Sequence, residues 1–533
     1  MQPDTTTRPT SAPAHAASAT PIERLDTAAI ASNGPRAPRR AWLALVVLML
    51  PVLLVSVDNT VLSFALPEIS RDLAPTAAQQ LWIVDAYPLV LAGLLVAMGS
   101  LGDRFGRRRL LLIGSAGFGL VSVAAAFAPT AELLILARAA LGFFGAMLMP
   151  STLSLLRSVF TEREQRRLAI AIWATGFAAG SALGPIVGGV LLEHFAWGSV
   201  FLLAVPVLLP LMVLLPVLVR ESRDPAPGPI DVASILLSLA AMIPMVFGIK
   251  SLATDGPLGS GIPVILVGVV FAWLFVRRQF RRPQPMLDVR LFRRGAFGGA
   301  VAVNLLSVIA LVGFLYFVSQ HLQLIAGLSP VQAGLALTPG LAAMIAAGLV
   351  VVPVAKRVAA RVVVPVALTL SAIAYLVIAL TAGSGALAPV VLAFALLGVG
   401  IGAAETVSNE LVLSNAPAAK AGAASAVSET AYELGAVLGT AILGSILTAH
   451  YRATLVLPAS LTPAEGAAAR ETLAGAFETA ERLPGAVGAS LEASAGHAFD
   501  SGVMVTSLIG VALMVGAAAI AAMTLGRGAK RAG

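Results

Sequence analysis

Seven ionisable residues fall where a chain of this kind has least room for them: Asp58, Asp85, Arg138, Glu405, Glu410, Glu429 and Glu433 all lie within long apolar runs. A charge at the centre of a membrane span costs about 2.5–3.5 kcal/mol on insertion scales, so each is a functional candidate. All but Arg138 are acidic, and an anionic interior attracts cations, whether protons, metal ions or organic cations. Asp58 and Arg138 each lie about 12 Å from the outer end of their runs at 1.5 Å per residue, so they can pair or compete for a proton. Glu429 and Glu433 are four residues apart on one helix face, with Tyr432 beside them. Two carboxylates this close in a low-dielectric setting do not both ionise readily, which suits reversible protonation and cation pairing. Glu405 lies in the cytoplasmic half of its run and Glu410 nearer its end, as a surface charge. Asp85, beside Trp82 and Tyr87, is placed about 9 Å from the outer surface, facing a water-filled entrance or the aromatic belt. Phe64, Trp173, Phe177, Phe314 and Tyr432 are candidates for cation–π contact with a bound cation.

The elements that must hold these residues are membrane helices. Of 533 residues, 58% are apolar and only 12% charged, with a mean hydropathy of +0.91 and no cysteine. That excludes a soluble enzyme, a disordered protein, a disulfide scaffold and cysteine-dependent chemistry. Fourteen runs are long enough to cross a bilayer. They are 42–66, 79–101, 109–128, 131–155, 168–192, 196–219, 230–250, 261–280, 296–320, 330–354, 362–382, 386–413, 420–449 and 502–526. The seventh and eighth, joined by a short Gly/Pro turn, are alternatively re-entrant.

The basic residues test this count. With a cytoplasmic N-terminus, 29 of the 35 Lys and Arg residues fall on the cytoplasmic side. Five (Arg71, Lys250, Arg452, Arg470 and Arg482) fall outside, and Arg138 lies within a span. The asymmetry is the positive-inside pattern, and it stays coherent to the end, which places both termini in the cytoplasm. It also accounts for the +8 net charge without a nucleic-acid partner. Residues 1–41 read as a disordered tail, 451–500 as a helical hairpin at the outer face, and 527–533 as a short cytoplasmic tail. There is no GxxxxGK[ST] phosphate loop, no HExxH site, and the five His residues are scattered. No cofactor or metal is therefore expected.

GSLGDRFGRRR (99–109), between spans two and three, resembles the signature loop of the major facilitator superfamily, carried by Gly99, Asp103, Arg104, Gly106 and Arg107. PVAKRVAARVV (353–363) is a degenerate counterpart that lacks the Asp. The pair implies two six-helix bundles, 42–219 and 296–526, with two inserted helices and a linker at 220–295. GFAAGSALGPIVGG, with Gly180, Gly184, Pro185, Gly188 and Gly189, resembles the antiporter signature of drug exporters. LARAALGFFGAMLMP resembles the fourth-span motif whose Arg is implicated in proton coupling.

The fourteen-span count and VDNTVLSFALPEI point to the larger drug:proton antiporter family. WIVDAYPLVLAG and AVSETAYELGAVLGTAILGSI are similar to the quaternary-ammonium exporters, in which the span-thirteen acids bind protons and cations. The resemblance implies an all-α major facilitator fold in a bacterial cytoplasmic membrane, probed by small organic cations and acting as a monomer, with the proton as coupling ion. It implies proton coupling at Asp58, Arg138 and Glu429, and substrate binding at Glu433, Glu405, Asp85, Tyr432, Phe64 and Trp173. No acid lies between Asp288 and Glu405, where some relatives carry one linked to dications. The alternatives are a dedicated exporter of one endogenous antibiotic and, from another class, a non-transporting membrane sensor or enzyme.

Overall fold

The computed structural model describes residues 37–223, 231–254, 261–283, 285, 287, 289–293, 295–415 and 421–525. The expected tails, apart from residues 37–41, lie outside the described residues, as do Asp288, Lys420 and the side chain of Phe177. Within them the chain is helical, without a strand.

The helices of the first half are α1 (Arg39–Leu73), α2 (Ala77–Phe105), α3 (Arg107–Ala126), α4 (Ala131–Val159), α5 (Arg163–His194) and α6 (Ser199–Leu218). Next come α7 (Val232–Thr254) and α8 (Gly261–Arg281). The second half holds α9 (Gly295–Gln320), α10 (Pro330–Ala355), α11 (Ala360–Thr381), α12 (Leu387–Ser414) and α13 (from Ala421–Gly439 through a wide π-type turn, Thr440–Gly444, to Ser445–Thr454). Two short helices, α14 (Pro463–Glu471) and α15 (Leu473–Glu481), precede α16 (Gly485–Thr524).

Thirteen helices are long and apolar enough to cross a membrane among the described residues. The thirty-two-residue α5 is about 48 Å long at 1.5 Å per residue and supplies the remaining expected crossing by its length. The inserted α7 and α8 are full helices packed on each other, not re-entrant loops. The last helix starts at Gly485 rather than near residue 502. Its first turns are too polar to read as a span, but Leu491, Ala495, Ala498 and Phe499 are buried and hold them helical. Ala37 donates to Gln165 in the first turn of α5, and Thr524 packs on Gly299 at the start of α9. Both ends of the described helical array therefore lie on the face carrying the basic loops.

Three of the helices that enter from the outer face, α2, α4 and α10, carry Ser or Thr caps. Thr76 and Ser329 form capping boxes with Gln79 and Gln332, and Thr130 caps α4. Interior prolines (Pro51, Pro88, Pro150, Pro185, Pro339) are tolerated because neighbouring helices re-satisfy the freed carbonyls.

Small residues set the packing. Gly176, Gly180, Gly184 and Gly188 present one face of α5 to α1, meeting Met49, Ser56, Thr60 and Val61. Gly435 and Gly439 present α13 to α9 in the same way. The two halves are thus built alike, α1 with α5 and α9 with α13, as an inherited repeat requires. They meet through the corresponding pairs α2–α13 and α5–α10. Close approaches across these seams lie toward the outer side: Gly189 on Pro330, Gly334 on Pro185, and Gly444 on Leu81.

The inserted pair is clamped at its cytoplasmic end. Asp231 accepts from Arg278 at 2.7 Å and lies 3.3 Å from Arg282. Burial pushes the Asp231 carboxyl up, yet hydrogen bonds from Arg278 and Ser234 outweigh it and hold it well below the usual carboxylate range. The contribution of this clamp is therefore complete above about pH 4 and is lost as pH falls further.

A methyl group added at Gly184 would collide with Thr60 Oγ1. Overpacking of this kind costs about 1–3 kcal/mol. Gly184→Ala should lower the melting temperature in detergent, and adding Thr60→Ala should recover part of the loss; an unchanged melting curve for the single variant would contradict the α1–α5 packing.

Candidate functional site

The chemistry-bearing residues converge on the seam between the halves. Asp58 projects from α1 and Arg138 from α4, and Arg138 Nη1 meets Asp58 Oδ2 at 2.7 Å. Arg138 is 1% exposed and Asp58 8%. The arginine also donates from Nε to the Ile83 carbonyl of α2 at 3.1 Å, and its guanidinium lies 4.7 Å from the centroid of the Tyr87 ring. One buried cation thus ties α1, α2 and α4 together. Tyr87 has no hydrogen-bond partner for its hydroxyl among the described residues. Asp58 also borders a small crevice floored by Phe118, Ser122 and Phe201 of α3 and α6.

Across the seam stand the carboxylates of the second half. Glu433 on α13 is 4% exposed, and its Oε2 has no partner among the described residues. It lies within electrostatic reach of Glu429 on its own helix and of Asp58 in the other half. Glu405 on α12 likewise leaves Oε1 unpartnered, and Tyr432 lies within reach of both Glu405 and Glu433. Glu429 is half-buried and faces Arg157 at the cytoplasmic end of α4. Glu410 is exposed, as a surface charge should be. Beside this group, Asn304 of α9 donates to Asn409 of α12 at 2.7 Å, and Ser428 of α13 donates to the same oxygen at 2.8 Å.

Asp85 is placed differently from its expected position. It is fully buried and pairs with Lys250 Nζ at 2.9 Å. Lys250 is not an outer-loop residue: it lies inside α7 and is 1% exposed. A sequence read one span at a time offers no signal for this pair, because its partners are 165 residues apart and the lysine sits at the soft edge of a span.

The aromatic candidates divide. Tyr432 stands among the acids. Phe64 and Phe314 are fully enclosed, and Phe314 packs on Phe317, Tyr375 and Phe394. Both rings are core in this conformation rather than cavity wall. Trp173 is 8% exposed and bonds Thr152, joining α5 to α4.

The 99–109 loop is a latch within the first half. Arg107 pairs with Asp103 at 2.7 Å, while Arg104 is exposed. Gly106 adopts φ +114°, and a Cβ there would strike the Glu221 carboxylate, so glycine is required twice over. Glu221 accepts from the backbone N–H groups of Arg108 and Arg109 at 2.9 and 3.1 Å and caps α3 from beyond α6. The sequence reading missed this role, although an acid just past a span end opposite a glycine-led helix start is the signal for it. No group of three or more metal-ligating side chains occurs among the described residues.

Residues 48–440 match the family model described as Major Facilitator Superfamily. The chain belongs to that superfamily. It is 56% identical over 492 residues to "Multidrug efflux pump LfrA" of Mycolicibacterium smegmatis, covering 92% of this chain and 98% of that one. It is 37% identical to "Methyl viologen resistance protein SmvA" of Salmonella typhimurium, covering 86% and 93%. It is 32% identical to "Tetracenomycin C resistance and export protein" of Streptomyces glaucescens, covering 91% and 92%. Within the superfamily the chain is of this exporter type: a multi-pass membrane transporter of the bacterial inner membrane, not an enzyme. Among solved structures it resembles a bacterial homologue of the human lysosomal transporter Spinster in an inward-facing, occupied conformation. The TM-score is 0.61 at 18% identity, over 92% of this chain and 97% of that one. That likeness concerns the fold.

Breaking a buried ion pair from one side costs about 3–5 kcal/mol, whereas removing both charges is often tolerated. Arg138→Met should destabilise the protein in detergent, and Arg138→Met with Asp58→Asn should melt nearer the parent while still failing to transport. Equal melting of the single and double variants would rule out a coupled pair.

Proposed function

We propose that this transporter is a proton-driven antiporter that exports lipophilic organic cations by alternating access. One observation carries the reading: the seam holds two carboxylates, buried Glu433 and half-buried Glu405, each with an enclosed oxygen unpartnered among the described residues. Buried charge without a partner is costly, and a proton or an organic cation is the partner that meets that cost in turn. Asp58, Arg138 and Glu429 serve the proton. Glu433, Glu405 and Tyr432 serve the substrate, Tyr432 through its ring.

The sequence of events follows from the charges. A lipophilic cation enters from the cytoplasm or inner leaflet and is held by the ionised acids. Protons from outside neutralise Asp58 or the Glu429/Glu433 pair, the attraction falls, and the cation leaves outward. Arg138 holds the Asp58 carboxylate in place between α1 and α4. Moving one charge across the membrane potential is worth about 2.3 kcal/mol per 100 mV, so exchange of one proton for one monocation draws only on the pH gradient. The protein acts as a monomer, with the two halves of one chain forming the path.

The tetracenomycin relative favours a second reading, a dedicated exporter of one antibiotic. Competition among chemically unrelated cations separates the two, since a dedicated exporter ignores them.

In vesicles loaded with ethidium, a proton ionophore should abolish efflux. Glu433→Gln should reduce efflux by about tenfold or more, a loss of at least 1.4 kcal/mol of coupling, with membrane insertion preserved. Ionophore-resistant efflux would end the proton-driven reading. Full activity in Asp58→Asn, Glu429→Gln and Glu433→Gln alike would end the carboxylate mechanism.

A further inference from the structure

The repeat leaves two outer seams, α2 against α13 and α5 against α10, and the inserted pair lies over only the first. Helix α7 touches both α2 and α13 there, so if the outer ends of the halves part, α7 must stay with one of them. Its two contacts are unlike in kind.

Toward α2 the contact is polar and specific. Lys250 Nζ lies 2.9 Å from Asp85 Oδ2, donates to the Leu81 carbonyl at 2.9 Å and stands 4.1 Å from the centroid of the Trp82 ring. Phe247 packs on the same Trp82 ring at 6.5 Å, and further down Leu239 fills the notch left by Gly93. Toward α13 the described contact is apolar, Val246 clustering with Val437 and Ala441. The Thr440 hydroxyl of α13, at that helix's π-type turn, lies near Asp85 without a hydrogen-bond partner among the described residues.

We infer that the inserted helices are carried by the first half as one body, with Lys250 as the positioning residue that pins them to Asp85, and that they slide over α13 when the outer ends separate. The physical reason is the difference between the two contacts. Separating a fully buried ammonium from its carboxylate leaves both charges without solvent or partner. Sliding an apolar face costs little as long as it meets other apolar groups, because dispersion contacts are non-directional. On opening, Asp85 moves away from Thr440 but keeps Lys250. Because α8 is bound to α7 by the Asp231 clamp, both inserted helices move together. The inference rests on the alternating-access reading.

The chain has no cysteine, so introduced pairs can be cross-linked without background. A Gly93→Cys/Leu239→Cys link, joining α7 to α2, should leave about half or more of the ethidium efflux, since it joins parts of one body. A Val246→Cys/Ala441→Cys link, joining α7 to α13, should cut efflux about tenfold or more, with recovery on reduction. The opposite pattern, or tolerance of the α13 link, would overturn the assignment. A Glu193→Cys/Ser329→Cys link across the other seam, where Ser329 bonds Glu193 at 3.2 Å, is the control for the underlying reading: efflux that survives it would show that the halves do not part, a failure of alternating access itself. Lys250→Met should lower efflux strongly, while Lys250→Arg and the double variant Asp85→Asn/Lys250→Met should restore much of it. An equal loss in single and double variants, with normal membrane insertion in both, would reduce Lys250 to packing and overturn its positioning role.

Discussion

A charge inside a membrane must find a partner, and this protein satisfies that rule unevenly. Arg138 has its partners: a carboxylate, a carbonyl and an aromatic face. Lys250 has the same three kinds. Arg138 fixes helices of the first half to one another, and Lys250 fixes the inserted α7 to α2. The acids of the second half are handled otherwise, because Glu433 and Glu405 each enclose an oxygen that has no partner among the described residues. The architecture therefore places paired charge on one side of the seam and, among the described residues, unmatched carboxylate oxygens on the other.

Close helix contact makes the imbalance sustainable. The glycine face of α5 lets α1 approach until Thr60 and Ser56 fill the space of the absent side chains. That approach places Asp58 beside α4 and near enough to feel Glu433. The other edge of α5, at Pro185 and Gly189, meets α10 across the seam. One short segment thus governs packing within a half and contact between halves, which ties the position of Asp58 to the state of the seam.

Much of this was legible in the sequence because membrane burial writes itself in one dimension. Span positions, the repeat and the loop charges need only local composition, and the depth of Asp58 and Arg138 needs only counting from a helix end. Equal depth allowed them to pair or to compete for a proton, and the structure pairs them. What stayed hidden depends on rotation about helix axes and on partners far along the chain. Asp85 and Lys250 lie on helices whose adjacency is set by where the inserted pair docks, and no periodicity encodes that. Phe64 and Phe314 turn into the core rather than toward a cavity for the same reason, since an aromatic in an apolar helix carries no mark of its direction. The early start of α16 was missed because its first turns, rich in Ala and Gly, are held by packing on α15 rather than by hydropathy.

The outer cap has a consequence for how such a molecule could be stopped. Glu471 at the end of α14 accepts a hydrogen bond from the Ala77 backbone N–H of α2 at 2.9 Å, while Arg452 at the end of α13 holds the other oxygen at 3.6 Å. The cap belongs to the second half in sequence but grips the first half where it enters the bilayer. A ligand fastened to both sides of that contact would join the two halves at their outer ends, and it would reach them from outside the cell without crossing the membrane.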